Sequence, residues 1–187
     1  EKTYADFEFL VRNDGGHSSR PRPDNAIYQL SDALTRLSQY RFEPVLVEST
    51  RAYFTERQKA EQGPLGNAMR AWLKNPRDGA AADAIELEEV GMTRTRCVAT
   101  MLNGGHAPNA LPQLARAVVN CRIMPGVEPE TIRTELEKIV ADPAGKAQIE
   151  VKQIGTSQMS LASPMRPDVM KAYTEAVHTL HPGVPVI

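Results

Sequence analysis

The chain has 187 residues, 41% of them hydrophobic, enough for one compact domain with some appended material. Its 22 Lys and Arg against 23 Asp and Glu give a formal charge of -1, so there is no basic excess to draw it to nucleic acid or to an anionic membrane, and neither partner is expected. No apolar run approaches the ~18 residues of a membrane span, and Glu1-Lys2-Thr3-Tyr4 does not resemble a signal peptide, although a leader already removed would leave no trace.

Tyr4 to Arg12 alternates, with Ala5, Phe7, Phe9 and Val11 pointing one way and Tyr4, Asp6, Glu8 and Leu10 the other, which predicts a strand with one buried face. Gly15-Gly16-His17-Ser18-Ser19 follows. Two glycines allow φ > 0 and close approach to a ligand, so His17 can project from a constrained loop. On residue pattern alone, a histidine in a Gly-rich turn is more often ordinary loop chemistry. Pro21 and Pro23 keep the chain extended, Asp24 is placed to cap, and Ile27, Leu30, Leu34 and Leu37 recur on one face of a helix running to Tyr40. Phe42 to Glu89 is less regular and reads as an inserted helical hairpin, with Met69, Trp72 and Leu73 on one side of a short helix stopped by Asn75-Pro76.

Strands return over Thr95 to Asn103 and Leu114 to Met124, and the two should pair antiparallel. In the second, Ala117, Val119, Cys121 and Ile123 alternate with Val118, Asn120 and Arg122. Cys97 and Cys121 fall in these apolar runs. Buried free thiols are the first expectation and a bridge between neighbouring strands the alternative, which leaves a cytoplasmic, periplasmic or secreted location open. Pro125-Gly126 ends the second strand, and Pro129 opens a helix with Glu128 and Glu130 at its positive end and a stripe of Ile132, Leu136, Ile139 and Val140. A last strand lies near Gln148 to Gln153. The order β-α-β-β-α-β predicts an α+β two-layer sandwich: a four-stranded antiparallel sheet, ferredoxin-like, with both main helices on one face and an inserted helical region over 42–89. The other sheet face must meet a partner or be wet.

Beyond Ser163-Pro164 a helix is expected from Pro167 to Pro182, carrying Val169, Tyr173, Val177 and Leu180, and Val184 to Ile187 resembles a strand cut short. The chain therefore reads as a piece of a longer protein, with residues 1–160 as one domain and 161–187 as the truncated start of another.

Four segments occur in a telling order: Asp14-Gly15-Gly16-His17-Ser18-Ser19-Arg20-Pro21-Arg22-Pro23-Asp24-Asn25-Ala26, Gly104-Gly105-His106-Ala107-Pro108-Asn109-Ala110-Leu111-Pro112, Asn120-Cys121-Arg122-Ile123-Met124-Pro125-Gly126, and Ser163-Pro164-Met165-Arg166-Pro167-Asp168. They resemble successive landmarks of the metallopeptidase superfamily that includes the glutamate carboxypeptidases, aminoacylases and succinyl-diaminopimelate desuccinylase. The resemblance implies that residues 1–160 are the lid or dimerisation domain of a homodimeric hydrolase and that residues 161–187 begin the returning catalytic domain. It further implies cleavage of the amide bond of a peptide or N-acyl amino acid with two zinc ions, both held in the catalytic domain outside this chain, so that the piece alone is inactive and binds no metal.

Under the same resemblance, His17 matches the family histidine that reaches across the dimer into the partner's active site and donates to the oxygen that becomes negative during hydrolysis. Asn109 and Arg122 match an asparagine and an arginine that hold the substrate's backbone carboxylate, a task suited to a carboxamide donor and a guanidinium fork. Taken without the family, Asn109 reads as a turn former and Arg122 as an exposed strand charge; which subunit supplies each is left open. Family chains commonly carry an aspartate two positions before this arginine, where this one has Asn120, so the local ion pair is in question. His106 reads as a surface turn residue, Glu88-Glu89 as a solvated face, and His178 and His181 as non-ligands, because Pro182 breaks their helix and no carboxylate is near in sequence. Two other functions compete: a stand-alone small-molecule-binding regulatory module, and a purely structural dimerisation domain.

Overall fold

The alternation of β1 (Thr3–Arg12) places Ala5, Phe7, Phe9 and Val11 in the core of a computed structural model that describes residues 1–186. The other elements are β2 (Gly16–His17), α1 (Ala26–Gln39), α2 (Glu48–Ala60), α3 (Gly63–Lys74), α4 (Gly79–Glu86), β3 (Arg96–Gly104), β4 (Ala110–Leu111), β5 (Leu114–Ile123), α5 (Pro129–Val140), β6 (Ile149–Ile154) and α6 (Pro167–Leu180). They fall into two compact units. One comprises Lys2–Phe42 and Arg96–Ser160; the other joins Glu43–Thr95 with the segment from Leu161 onward.

The first unit is the expected α+β sandwich, its sheet ordered β3-β5-β1-β6 with antiparallel pairing throughout. Ala115, Ala117, Val119, Cys121 and Ile123 of β5 line up beside the buried residues of β1, and this face meets Leu30, Ala33 and Leu37 of α1 and Ile132, Leu136 and Val140 of α5. Period-two strands against 3.6-period helices are what such a two-layer core requires. Arg36 on α1 donates to the carbonyls of Ile139 and Val140 (3.3 and 2.6 Å), tying the two helices together at the carbonyl-bearing end of α5.

Three local expectations are corrected. The cap of α1 is Asn25, whose Oδ1 accepts the N–H groups of Ile27 and Tyr28 at 2.9 and 3.1 Å; Asp24 is drawn instead to Arg22 and Asn13. The cap begins the helix at Ala26 and turns Ile27 outward, leaving it 38% exposed. Cys97 and Cys121 are not free thiols. Register sets them directly opposite on β3 and β5, with Cα atoms 4.1 Å apart, and they form a disulfide.

β3 is an edge strand, interrupted by a bulge between Ala99 and Met101, and it leaves Val98, Met101 and Leu102 more than half exposed. The outward sheet face carries polar contacts. On it Asn120 Nδ2 donates to Asp6 Oδ1 (2.8 Å), Tyr4 Oη donates to Asp6 Oδ2 (2.7 Å), and Lys152 pairs with Glu150 (2.6 Å).

The second unit holds three helices between Glu48 and Glu86 in place of the expected hairpin. Phe54, Leu65, Met69, Trp72, Ala82 and Ile85 form its core, with Trp72 packed edge-on against Phe54 and its indole N–H donated to Pro76 O at 3.0 Å. A sequence reader counts one helix too few here because α2 and α3 are separated only by Glu61-Gln62 and α2 buries only Phe54. The Glu86 carboxylate accepts the N–H groups of Gly91 and Thr93 and the Thr93 hydroxyl, which closes the turn after α4. Glu89 is not simply solvated, since it accepts the Tyr53 hydroxyl at 3.0 Å and lies 3.7 Å from Arg57; Glu88 is exposed. α6 forms as expected but buries none of its residues. Val184–Val186 form no strand, and Ile187, the end of the expected strand, lies outside the described residues.

Candidate active site

β1 ends at Arg12, and the loop after it is held from both sides. Asn13 donates its N–H to Gln113 O (3.0 Å) and its side-chain amide to Asp24 and Gln29 (3.3 and 3.2 Å), while Gln113 Nε2 returns to Asp14 O (3.2 Å). Gly15 sits at φ 73°, where a Cβ would lie 2.5 Å from Gln113 Cγ and 3.0 Å from Leu111 O, so both the conformation and the space exclude a side chain. The chain can then pair Gly16 with Leu111 and His17 with Ala110 as a short β2–β4 ribbon. Ser18 N–H donates to Asn109 O at 2.9 Å, and the two sequence-predicted residues His17 and Asn109 are thereby brought to one end of the unit.

The His17 ring is exposed, and its Nδ1 accepts the backbone N–H of Ser19 at 3.2 Å, with Ser19 Oγ 2.8 Å away. A backbone amide can only donate, so Nδ1 must keep its lone pair and the neutral ring carries its proton on Nε2. The turn thus selects the tautomer that presents Nε2–H outward as a donor. An open cleft of about 630 Å³ beside the ring is lined by Gly16, His17, Ser19, Arg20 and Arg22.

Arg122 is elsewhere. It pairs with Tyr4 near the far end of β1, whereas the β2–β4 ribbon follows Arg12, which pairs with Leu114. Those two positions are separated along β5 by roughly 27 Å at about 3.4 Å per residue. Arg122 is exposed on the outward face with its guanidinium 4.8 Å from the Tyr4 ring centroid, a cation–π contact that orients the fork. The Asp6 carboxylate that accepts the Tyr4 hydroxyl holds that phenol above its ordinary pKa and so keeps it protonated. The family's aspartate would stand at Asn120, facing Asp6; the amide instead donates to that carboxylate, so no ion pair with Arg122 is needed to satisfy the site. Asn120→Asp is expected to destabilise the fold by about 0.5–1 kcal/mol through two facing carboxylates. Urea unfolding should show this loss, and it should disappear when Asp6→Asn is added.

A single copy therefore brings His17 and Asn109 together and leaves Arg122 apart. Sequence reasoning missed Tyr4 as the platform for Arg122, because only the β1–β5 register brings the two side by side. His106 lies exposed in the turn after Gly105, as expected. Among the described residues no three His, Cys, Asp or Glu side chains converge where they could hold a metal ion. No described helix is long and apolar enough to cross a membrane.

The fold recurs as part of longer solved proteins. The chain superposes over 96% of its length on 49% of an M20 family metallo-carboxypeptidase from Sulfolobus solfataricus, at TM-score 0.54 and 16% identity. It also superposes over 96% of its length on 34% of a hydantoinase/carbamoylase family amidase from Burkholderia ambifaria, at TM-score 0.54 and 11% identity. The model of the peptidase dimerisation domain, M20_dimer, matches residues 1–148, and the chain belongs to that family. Among curated proteins it is similar to the probable carboxypeptidase S-like 2 of Dictyostelium discoideum, 26% identical over 142 residues that make up 76% of this chain and 27% of that protein. It is similar also to the N-fatty-acyl-amino acid synthase/hydrolase PM20D1 of Mus musculus, 26% identical over 192 residues covering 100% of this chain and 37% of that protein. The chain spans roughly a third of the length of these relatives.

Proposed function

We propose that this chain is the dimerisation and substrate-closing portion of a zinc-dependent peptidase or amidohydrolase, active as a homodimer, that cleaves the amide bond of a peptide or an N-acyl amino acid. The observation that carries this reading is the His17 turn: an exposed imidazole whose Nδ1 accepts the Ser19 N–H, leaving Nε2 to face outward from a glycine-shaped loop. A donor of that kind, aimed where the carbonyl oxygen becomes an oxyanion, is the group an amide hydrolase needs beyond its metal and base. The zinc ions belong to polypeptide outside this chain, and the residues described here bind and orient the substrate.

Asn109 and Arg122 hold the substrate's α-carboxylate. Because one copy separates Arg122 from His17 and Asn109, a complete site draws His17 and Asn109 from one protomer and Arg122 from its partner. A two-fold assembly supplies two such sites at once. The exposed apolar edge of β3, with Val98, Met101 and Leu102, continues past Gly104 to Ile27 and the exposed Tyr28 of α1, and this surface is where the second copy adds its own β3.

Sedimentation equilibrium of the purified chain at tens of micromolar should give close to twice 20.6 kDa, and Met101→Glu with Leu102→Asp should shift it to monomer. The same dimeric preparation should release no product from N-acyl amino acids when zinc is added. A monomeric parent would remove the two-protomer site, and zinc-dependent hydrolysis surviving His17→Ala would remove the assignment of the metal chemistry to other parts of the protein.

A further inference from the structure

The cleft beside His17 contains two guanidinium groups and no carboxylate among its lining residues. The two differ in kind. Arg22 is pinned: its Nη2 and Nε donate to Asp24 at 3.0 and 3.3 Å, and its Nη1 lies 3.6 Å from Asp14, so its charge is answered within the loop. Arg20 is held only through its backbone, whose N–H donates to His17 O at 2.9 Å and closes the turn that carries both residues. Its side chain is exposed, and among the described residues no carboxylate pairs with it. A permanently charged, planar fork without an internal partner, on the wall of a cleft that a proposed catalytic donor shares, is suited to a carboxylate brought by the substrate.

Which part of the substrate carries that carboxylate follows from the assignments already made, and the inference rests on them. The α-carboxylate of the leaving amino acid goes to Asn109 and Arg122. His17 marks the scissile carbonyl oxygen, and Arg20 enters the same cleft from the turn directly after it. The remaining portion of the substrate is the acyl group. We infer that Arg20 is a specificity-determining residue that reads a negative charge on the acyl side of the scissile amide, so that the intact enzyme favours acyl groups ending in a carboxylate over neutral ones of the same length.

The test uses the full-length enzyme and two matched substrates, an N-glutaryl and an N-pentanoyl derivative of one amino acid, which differ by the terminal carboxylate. In the parent, kcat/KM for the glutaryl compound should exceed that for the pentanoyl compound, and the excess should shrink as salt is raised. Arg20→Ala should lower the ratio of the two kcat/KM values at least tenfold, mainly through KM of the glutaryl substrate, and Arg20→Lys should restore part of it. A parent without preference for the charged acyl group, or a ratio unchanged in Arg20→Ala while both substrates are still turned over, overturns the role of Arg20 alone. A parent that hydrolyses neither compound, or whose rate is untouched by His17→Ala, overturns the hydrolase reading and this inference with it.

Discussion

Replacing His17 by alanine in the full-length protein is expected to lower kcat by about two orders of magnitude, with metal content and dimerisation preserved. The imidazole is exposed, so its loss opens no cavity in the core. The turn beneath it keeps its other ties, among them Asn13 to Gln113 and Gln113 to Asp14. What is lost is a donor whose proton already stands on Nε2 before the substrate arrives, because Ser19 N–H occupies Nδ1. Such a group adds most where negative charge develops, so its removal should strike the chemical step, worth about 3 kcal/mol, more than capture. Ser19→Pro is an informative companion. It deletes the N–H that fixes the tautomer while keeping the ring, and should give an intermediate loss. Steady-state kinetics with metal content by mass spectrometry decides the matter: a fully metallated His17→Ala enzyme with parental kcat would refute the role.

The sandwich was legible because its signals are repeated. The period-two alternations of β1 and β5 and two amphipathic stripes each place several residues at once, and Phe7, Phe9, Leu30 and Leu136 all fall in the core to which they point. Where a single residue decides the outcome, the sequence is weaker. Asp24 and Asn25 are both good caps, and the choice between them depends on Arg22 and Asn13, which compete for the carboxylate. The helical region was under-read because α2 carries mostly polar residues and one buried anchor, Phe54. The disulfide was left open because it depends on register, and register follows from the pairing of β3 with β5, not from either strand alone.

Of the candidate site, the local settings of His17, Asn109 and Arg122 were legible and their arrangement was not. The glycines before His17 announce a tight loop, but the tautomer depends on where Ser19 N–H points after the loop has closed. Arg122 was visible as a charge on an outward face, yet its Tyr4 platform and its distance from His17 both come from the antiparallel pairing of β1 with β5. That distance has the most consequence for the proposed function, because under that proposal a site using all three residues needs two chains.

Mixing two impaired variants should restore part of the activity on substrates with a free carboxylate. Arg122→Ala removes the fork proposed to hold the substrate's α-carboxylate, so it should raise KM for substrates with a free carboxylate much more than for the same amides with the carboxylate blocked; His17→Ala should slow both alike. Each variant homodimer is damaged at both sites. In a mixed dimer, the protomer carrying His17→Ala still offers Arg122, and the one carrying Arg122→Ala still offers His17, so one of the two composite sites is intact and the other lacks both groups. Random reassortment makes half of the dimers mixed, so roughly a quarter of parental activity should return after co-refolding or co-expression. If His17 and Arg122 instead served the same site from a single chain, every site in the mixture would lack one group and no activity would return. Adding Met101→Glu and Leu102→Asp to both partners should abolish the recovery along with the dimer, which separates true complementation from residual activity of either variant.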